Sequence, residues 1–226
     1  MVHVSHGIAE TSTPRLRVEG LSVRHRRRSV LCDLTWEHRP GRVAWVVGEN
    51  GTGKSSLLRT LAGRARPAAG SVWIDGPTGT RPTRPLYYHP GMRLPPHVRV
   101  RDWCRLTGSL TNAANSHFLE APLEPTLPPD RPLGRLSTGE AKRLLLGALL
   151  RRDRPVLILD EPYEHLSPDA RDALTAALVA RAWSAVVVVA TNQPVPEDAH
   201  GPILRLNGDR PVVERSAGET TRAARN

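Results

Sequence analysis

The 226-residue sequence has no apolar stretch that approaches the roughly 20 residues needed to cross a lipid bilayer. Its longest apolar run, Ala185–Ala190, is short and rich in valine, which is typical of a buried parallel strand. The N-terminal segment Met1–Thr13 also lacks the basic-then-apolar pattern of a signal peptide. A role at a membrane would therefore depend on a separate membrane-embedded partner.

Cysteine and lysine are scarce. The two cysteines, Cys32 and Cys104, lie far apart without the spacing of metal ligands, which favours free thiols in a reduced compartment. Of the 32 lysines and arginines only Lys54 and Lys142 are lysines. The net charge of +10 would suit nucleic acid or an anionic membrane. Because the arginines are spread along the chain apart from Arg24–Arg28, we expect a solvated basic surface and argue against a nucleic-acid partner.

Predicted strands alternate with predicted helices along most of the chain. From hydrophobic periodicity we expect strands within 15–47 and at 70–75, 156–159, 185–190, 203–206 and 212–213, and helices over 55–62, 100–110, 137–151 and 168–182. The Asn207-Gly208 pair predicts a hairpin between the last two strands. This alternation argues for an α/β domain built on a parallel sheet.

The segment Gly48–Ser55 matches the phosphate-loop pattern G-x-x-x-x-G-K-[ST]. Glycines let backbone N–H groups curl around a phosphate, and the following helix offers its positive end. Lys54 would contact the outer phosphates, and the Ser55 hydroxyl can ligate Mg²⁺. We therefore predict that this segment binds the phosphates of a nucleotide together with Mg²⁺. The predicted nucleotide-binding residues of this segment are Gly48, Asn50, Gly51, Thr52, Gly53, Lys54, Ser55 and Ser56.

The predicted strand Val156–Leu159 ends in two carboxylates, Asp160 and Glu161. Beside a phosphate loop, Asp160 would hold Mg²⁺ and Glu161 would act as general base toward the attacking water. A buried strand that stops at a solvated acidic turn is the alternative interpretation. The phosphate loop upstream favours the functional interpretation.

The segment Leu136–Glu140 opens a predicted helix shortly before the acidic strand. It resembles the signature sequence of ATP-binding cassettes, with Thr138 and Glu140 in place of the usual glycine and glutamine. Ser137 and Glu140 also form the S-x-x-E pattern of a capping box. Phosphate loop, signature and acidic strand occur in the order and spacing of the ABC family, and the resemblance runs from about residue 16 to 213.

The resemblance implies a P-loop NTPase core, made of a mostly parallel sheet flanked by helices, with an N-terminal antiparallel β subdomain and a small helical subdomain. We expect a flexible tail over 1–14, a single domain over 15–213 and a second tail over 214–226. Within that domain, the core would span about 15–88 and 134–213, and the helical subdomain about 89–133.

The resemblance also implies that two cassettes close head-to-tail around two ATP molecules. Each site would take its phosphate loop from one chain and Ser137 and Gly139 from the other. The expected function is an ATP-binding and ATP-hydrolysing subunit, cytoplasmic and peripheral on the inner face of the cell membrane, that powers integral membrane transporter subunits. Three alternatives remain: a non-transport cassette acting on a ribosome or DNA, a degenerate regulatory cassette with little hydrolysis, and a kinase that shares only the phosphate loop.

Several positions depart from the family pattern. His25 stands where an aromatic residue stacks on adenine. The glutamine that senses Mg²⁺ and water is missing, since the single glutamine is Gln193, and His89 or Pro90 occupies its region. Ser167 replaces an aspartate, although serine suits a helix N-cap.

The departure with the largest expected effect is Asn192, in place of a histidine after the last core strand. Asparagine can donate a hydrogen bond to the γ-phosphate but cannot carry a positive charge. Loss of a charge-assisted hydrogen bond would slow hydrolysis by roughly a hundredfold. We therefore expect a chain that binds ATP well, hydrolyses it slowly and pairs with a more complete cassette.

Overall fold

The computed structural model describes residues 2–5, 13–25, 28–75, 84–109, 123, 126–197, 199, 201–207 and 211–214. The strands are β1 (Val2–Ser5), β2 (Arg15–His25), β3 (Arg28–His38), β4 (Val43–Val47), β5 (Ala69–Asp75), β6 (Leu86–Tyr88), β7 (Val156–Asp160), β8 (Val186–Thr191), β9 (Ile203–Leu206) and β10 (Pro211–Glu214). The α-helices are α1 (Lys54–Leu61), α2 (Val100–Ser109), α3 (Thr138–Leu150) and α4 (Pro168–Ala182), with a 3₁₀ turn at Leu133–Arg135.

A six-stranded sheet with the order β10-β9-β4-β8-β7-β6 forms the centre of the domain. In the part of the sheet ordered β9-β4-β8-β7-β6, neighbouring strands are parallel. Strand β10 pairs antiparallel with β9. Every residue of β4, β7 and β8 is buried, because the apolar faces of these strands are covered on both sides. The predicted α/β fold with a mostly parallel sheet is confirmed. The predicted hairpin pairing of the last two strands is also present, although Gly208 lies outside the described residues.

The N-terminal part forms a separate four-stranded sheet with the order β1-β5-β2-β3. Strand β2 pairs antiparallel with both β3 and β5, as expected for the antiparallel subdomain. The expectation of a flexible tail over 1–14 is wrong at Val2–Ser5, which pairs in parallel with β5. Alternating Val2 and Val4 favour a strand, and the edge of β5 offers its unpaired backbone groups as a template. Most of the remaining tail residues, and 215–226, lie outside the described residues.

The central sheet carries an apolar core on each face. Successive residues of β4 alternate between the cores: Ala44 and Val46 belong to one, and Val43, Trp45 and Val47 to the other. The first core packs against α1 and the antiparallel sheet, and the second against α3 and α4. This two-sided burial holds the carboxyl ends of the parallel strands, and the loops that follow them, in fixed relative positions.

A smaller apolar cluster joins α2, the 3₁₀ turn and α3 through Val100, Leu133 and Leu144. The helix predicted over 100–110 is α2, and it packs against α3. The boundary of a separate helical subdomain stays a prediction, since 110–122 lie outside the described residues. No helix in the described part of the chain combines the length and apolar character that a bilayer crossing demands.

Predicted element ends differ from the structure by one or two residues. Helix α1 begins at Lys54, because Gly53 adopts a left-handed conformation as its N-cap. Helix α4 begins at Pro168 as predicted, with Ser167 in the N-cap position, but the Ser167 side chain makes no capping hydrogen bond. Strand β7 extends through Asp160, so this carboxylate belongs to the strand rather than to the turn.

We expect the substitution Gly70→Ala to destabilise the fold. Gly70 has a φ of +77°, and a Cβ built there would lie 2.3 Å from the carbonyl oxygen of Gly20. Alanine would combine a disfavoured backbone conformation with a backbone clash, which should lower the free energy of unfolding by about 2–4 kcal/mol and the Tm by about 5 °C or more. The measurement is a thermal melt followed by circular dichroism.

The matched control is Gly108→Ala in α2, where an added Cβ meets nothing within 4 Å. Alanine is favoured over glycine inside a helix, so its Tm should stay equal or rise slightly. Equal melting temperatures for the two variants would contradict the assignment of strain to Gly70.

Candidate functional site

The loop between β4 and α1 depends on glycine at several positions. Gly51 and Gly53 have φ values of +84° and +101°, in the left-handed region that side chains disfavour. A Cβ at Gly53 would lie 1.7 Å from the Cγ1 atom of Val30 on β3. A Cβ at Gly48 would lie 2.8 Å from the carbonyl oxygen of Leu206. The close approach of backbone and neighbouring strands therefore requires glycine where the phosphate-loop pattern has it.

Hydrogen bonds within the loop hold its curved shape. The Thr52 hydroxyl donates to the Glu49 carbonyl at 2.9 Å. The Lys54 ammonium folds back and donates to the carbonyls of Gly48 at 2.7 Å and Glu49 at 3.1 Å. Lys54 is only 5% exposed, so its ammonium group lies inside the loop, largely shielded from water. A loop of this shape presents backbone N–H groups and a fixed cation to an anion.

Glu161 lies across the loop from Lys54 and joins it to the end of β8. Its Oε1 atom is 3.2 Å from the Lys54 ammonium, and its Oε2 atom accepts a hydrogen bond from the backbone N–H of Asn192 at 3.1 Å. Burial raises the pKa of Glu161, while the Asn192 N–H and Lys54 oppose that shift. The raised pKa suits a carboxylate that takes a proton during a reaction.

Asp160, at the end of β7, is 1% exposed. Its Oδ2 atom accepts a hydrogen bond from the Tyr87 hydroxyl at 3.4 Å, and its Oδ1 atom has no hydrogen-bond partner within the part of the chain that the structure describes. Burial, with the nearby Asp160 charge, raises the pKa of Tyr87 to about 12, so Tyr87 stays a neutral donor. A buried carboxylate oxygen without a partner is costly, and a hard divalent cation such as Mg²⁺ would satisfy it. Asp160 therefore fits the predicted metal site, and the other predicted ligand, Ser55, is the second residue of α1.

Asn192 makes a second contact that the sequence does not reveal. Its side-chain amide donates to the Oδ1 atom of Asn50 in the glycine-rich loop at 3.0 Å. The residue therefore contacts Glu161 through its backbone and the loop through its side chain. The structure brings together Lys54, Glu161 and Asn192, which follow the neighbouring strands β4, β7 and β8 in the chain.

The predicted capping box at the start of α3 is present. The Ser137 hydroxyl accepts from the Glu140 N–H at 3.2 Å, and the Glu140 carboxylate accepts from the Ser137 N–H at 2.7 Å. That backbone hydrogen bond, aided by Arg131, lowers the pKa of Glu140. A Cβ at Gly139 would lie 3.1 Å from the carbonyl oxygen of His165, so the glycine lets the helix pack closely on the turn after β7.

Three predicted positions do not contact the group formed by Lys54, Glu161 and Asn192. His25 is exposed at the end of β2, where it pairs with Arg28 across the hairpin. The His89 ring lies 5.5 Å from the Tyr87 ring, and its Nδ1 accepts from the Gly91 N–H at 3.1 Å. Ser167 is exposed at the N-cap of α4. Roles for these residues in nucleotide binding or sensing stay predictions.

Two residues of the site escaped the sequence analysis. Tyr87 contacts Asp160, but it comes from a three-residue strand inside a segment of weak periodicity. Lys142 donates to the carbonyls of Glu161 and Glu164 from α3. The only sequence signal for Lys142 was its rarity, since it is one of two lysines in an arginine-rich chain.

Comparison with known proteins places these elements in one family. A family model described as ABC transporter matches residues 31–164. The chain is 35% identical over 192 residues to the cytochrome c biogenesis ATP-binding export protein CcmA of Rhizobium meliloti (strain 1021), covering 80% of this chain and 92% of that protein. It is 33% identical over 200 residues to the zinc import ATP-binding protein ZnuC of Halorhodospira halophila (strain DSM 244 / SL1), covering 87% of this chain and 75% of that protein. A solved ATP-binding subunit of an ABC transporter shares the fold, with a TM-score of 0.72 at 22% identity and coverage of 88% and 89%.

We expect Lys54→Met to weaken ATP binding at least tenfold. The substitution removes the cation of the loop and leaves the half-buried Glu161 carboxylate without its cationic partner. Loss of a charge-assisted contact of this kind costs about 2 kcal/mol or more. The dissociation constant of ATP, measured by titration calorimetry with Mg²⁺ present, checks this.

Arg64→Met removes a positive charge just beyond α1 at an exposed position, and serves as the matched control. Its ATP affinity should stay within about threefold of the original chain, because an exposed charge contributes little. A similar loss of affinity in both variants would argue for a general effect of surface charge rather than a site at Lys54.

Proposed function

The chain belongs to the ABC transporter family, and from this premise we propose that it is the ATP-binding and ATP-hydrolysing subunit of a transporter. The observation that carries the proposal is the ion pair of Lys54 with Glu161 at a glycine-rich loop, with Asp160 next in sequence to Glu161. One buried oxygen of Asp160 has no hydrogen-bond partner among the described residues. These groups supply a cation for phosphate, a general base and a ligand for Mg²⁺. Two relatives are named as the ATP-binding proteins of an exporter and of an importer, which supports a transport role.

The chemistry of each group follows from its contacts. In the bound complex, Ser55 and Asp160 would hold Mg²⁺, which would neutralise charge on the phosphates. The backbone N–H groups from Gly48 to Gly53 and the Lys54 ammonium would bind the phosphates. Glu161, which already accepts from the Asn192 N–H, would be held in position to take a proton from the attacking water.

We further propose that a second cassette completes the site. The N-terminus of α3 is exposed at Ser137, and the positive end of this helix would favour an anion. In the head-to-tail arrangement expected for the family, Ser137 and Gly139 would contact the γ-phosphate of ATP bound to the partner chain. Integral membrane subunits would take up the resulting motion, with this chain on the cytoplasmic face of the membrane.

Slow hydrolysis is part of the proposal. The side chain of Asn192 contacts the loop at Asn50, while its backbone holds Glu161. A side-chain substitution can therefore change the γ-phosphate contact without removing the hydrogen bond to Glu161. The neutral amide supplies a weaker hydrogen bond to a phosphate than a charged imidazolium would. This supports a cassette that works beside a more active partner.

Asn192→His should raise kcat for ATP hydrolysis by about tenfold or more, because a charge-assisted hydrogen bond to the developing phosphate charge would replace a neutral one. The ATP dissociation constant should stay within about threefold. Steady-state phosphate release and equilibrium binding check the two quantities. Asn192→Gln, which stays neutral, is the matched control and should not accelerate hydrolysis. An original chain that already turns over as fast as the histidine variant would contradict slow hydrolysis.

Gentle purification of the tagged chain from detergent-solubilised membranes of its host tests the transporter assignment. We expect a polytopic membrane protein to copurify, and a second, different cassette alongside it would support the asymmetric pair. Recovery from the soluble fraction with ribosomal or DNA-bound material would overturn the membrane assignment in favour of the non-transport alternative.

A further inference from the structure

Both lysines of the chain contact the same residue. The Lys54 ammonium lies 3.2 Å from the Glu161 carboxylate, and the Lys142 ammonium donates to the Glu161 backbone carbonyl at 2.9 Å. The remaining basic side chains, apart from histidine, are arginines. In a chain that uses arginine for almost every cation, the two compact ammonium groups are located at the candidate general base. Lys54 belongs to the phosphate loop, whereas Lys142 has no role in the function proposed above.

The burial of the charged Lys142 side chain is energetically unfavourable. It is 8% exposed, and burial lowers its pKa to about 8 although the carboxylates of Glu161 and Glu164 oppose that shift. Its ammonium donates to the Glu164 carbonyl at 2.8 Å and lies 5.7 Å from the centre of the Tyr88 ring. One ammonium can serve both backbone carbonyls because its three donors radiate from a single nitrogen.

The segment held by Lys142 is a turn with unfavourable backbone conformations. Glu161 and His165 have φ values of +47° and +59°, which are uncommon for residues other than glycine. Such conformations persist only when surrounding contacts hold them. Lys142 bonds the carbonyl of the first of these residues and that of Glu164, which precedes the second. The two hydrogen bonds therefore hold both ends of the strained turn.

We propose that Lys142 is a positioning residue, which fixes the turn Glu161–His165 and thereby the direction of the Glu161 carboxylate. The inference rests on the proposed function, since it assigns a role toward the same hydrolytic site. Lys142 lies on α3 about one turn after Gly139, and the closely packed His165 carbonyl faces that glycine. A displacement of α3 by nucleotide bound to a partner chain would therefore move the turn and reorient Glu161. Lys142 links the end of α3 that faces the partner to the hydrolytic carboxylate of its own chain.

The test compares Lys142→Met with Lys142→Arg in the full-length chain, within the assembly that it purifies with. Met removes the charge and all donors, so we expect kcat for ATP hydrolysis to fall by at least about tenfold, since small misplacements of a reacting group have effects of this size or larger. The ATP dissociation constant should stay within about threefold, because the phosphate loop is untouched. Arg keeps the charge and the N–H donors and should recover at least part of kcat.

Hydrogen exchange distinguishes a local effect on the turn from general destabilisation, which would not confine faster exchange to the turn. Backbone amides of residues 161–166 should exchange about tenfold faster in Lys142→Met, with the phosphate loop unchanged. The matched control is Arg181→Met. Arg181 is also buried, at 6% exposed, and donates to two backbone carbonyls, those of Arg152 and Arg154, at the amino end of β7 away from the site. Its loss should lower the Tm without changing kcat or exchange at 161–166.

The outcomes separate the two proposals. An original chain that fails to bind ATP would overturn the proposed function. Normal ATP binding, with kcat and exchange at 161–166 unchanged in Lys142→Met, would overturn the positioning role alone. Losses of the same size in Lys142→Arg and Lys142→Met, or in Arg181→Met, would also overturn it. If Lys142→Met does not fold, the same comparison is made with Lys142→Gln, which keeps a neutral amide donor group and should fall between the original chain and a chain without donors.

Discussion

The arrangement of the site depends on the ion pair between Lys54 and Glu161. Their side chains are 6% and 12% exposed, so the two charges are held largely out of water. The pair connects the loop after β4 to the turn after β7, which flank β8 in the sheet. Asn192, at the end of β8, lies between them and donates to Glu161. Groups that follow three neighbouring strands therefore meet at one carboxylate, because the strands are parallel and their carboxyl ends share an edge.

At this edge of the sheet the Glu161 carboxylate has a cationic partner within the protein, whereas the Asp160 carboxylate has none among the described residues. Glu161 has Lys54 at its carboxylate and Lys142 at its carbonyl. Asp160 has only the weak hydrogen bond from Tyr87, and one of its oxygens lacks any partner among the described residues. The neighbouring carboxylate is thus neutralised while Asp160 is left able to bind a cation. This distribution suits a site in which the metal and the proton acceptor must stay distinct.

The sequence predicted most of the fold and the elements that carry the candidate site, because their signals are local. The phosphate loop, the Val-rich strands and the capping box at Ser137 are each encoded within a few adjacent residues, and all three have the predicted structure. The expected tail was wrong at Val2–Ser5, since a short strand on the edge of a sheet depends on a partner strand far along the chain. The interactions of Tyr87 and Lys142 were missed for the same reason. Their partners lie on other elements, and neither belongs to a recognisable motif.

By itself the sequence determined the α/β class, the order of the motifs and the identity of the groups proposed to bind phosphate and Mg²⁺. These follow from backbone conformation and side-chain chemistry over short spans, where glycine, lysine and paired carboxylates leave few alternatives. Only the tertiary structure decided that Asn192 contacts both Glu161 and Asn50, that one buried Asp160 oxygen lacks a partner among the described residues, and that Lys142 bonds the turn after β7. Those contacts join residues brought together by strand order and helix packing, and no local pattern encodes which distant backbone group a buried side chain will meet.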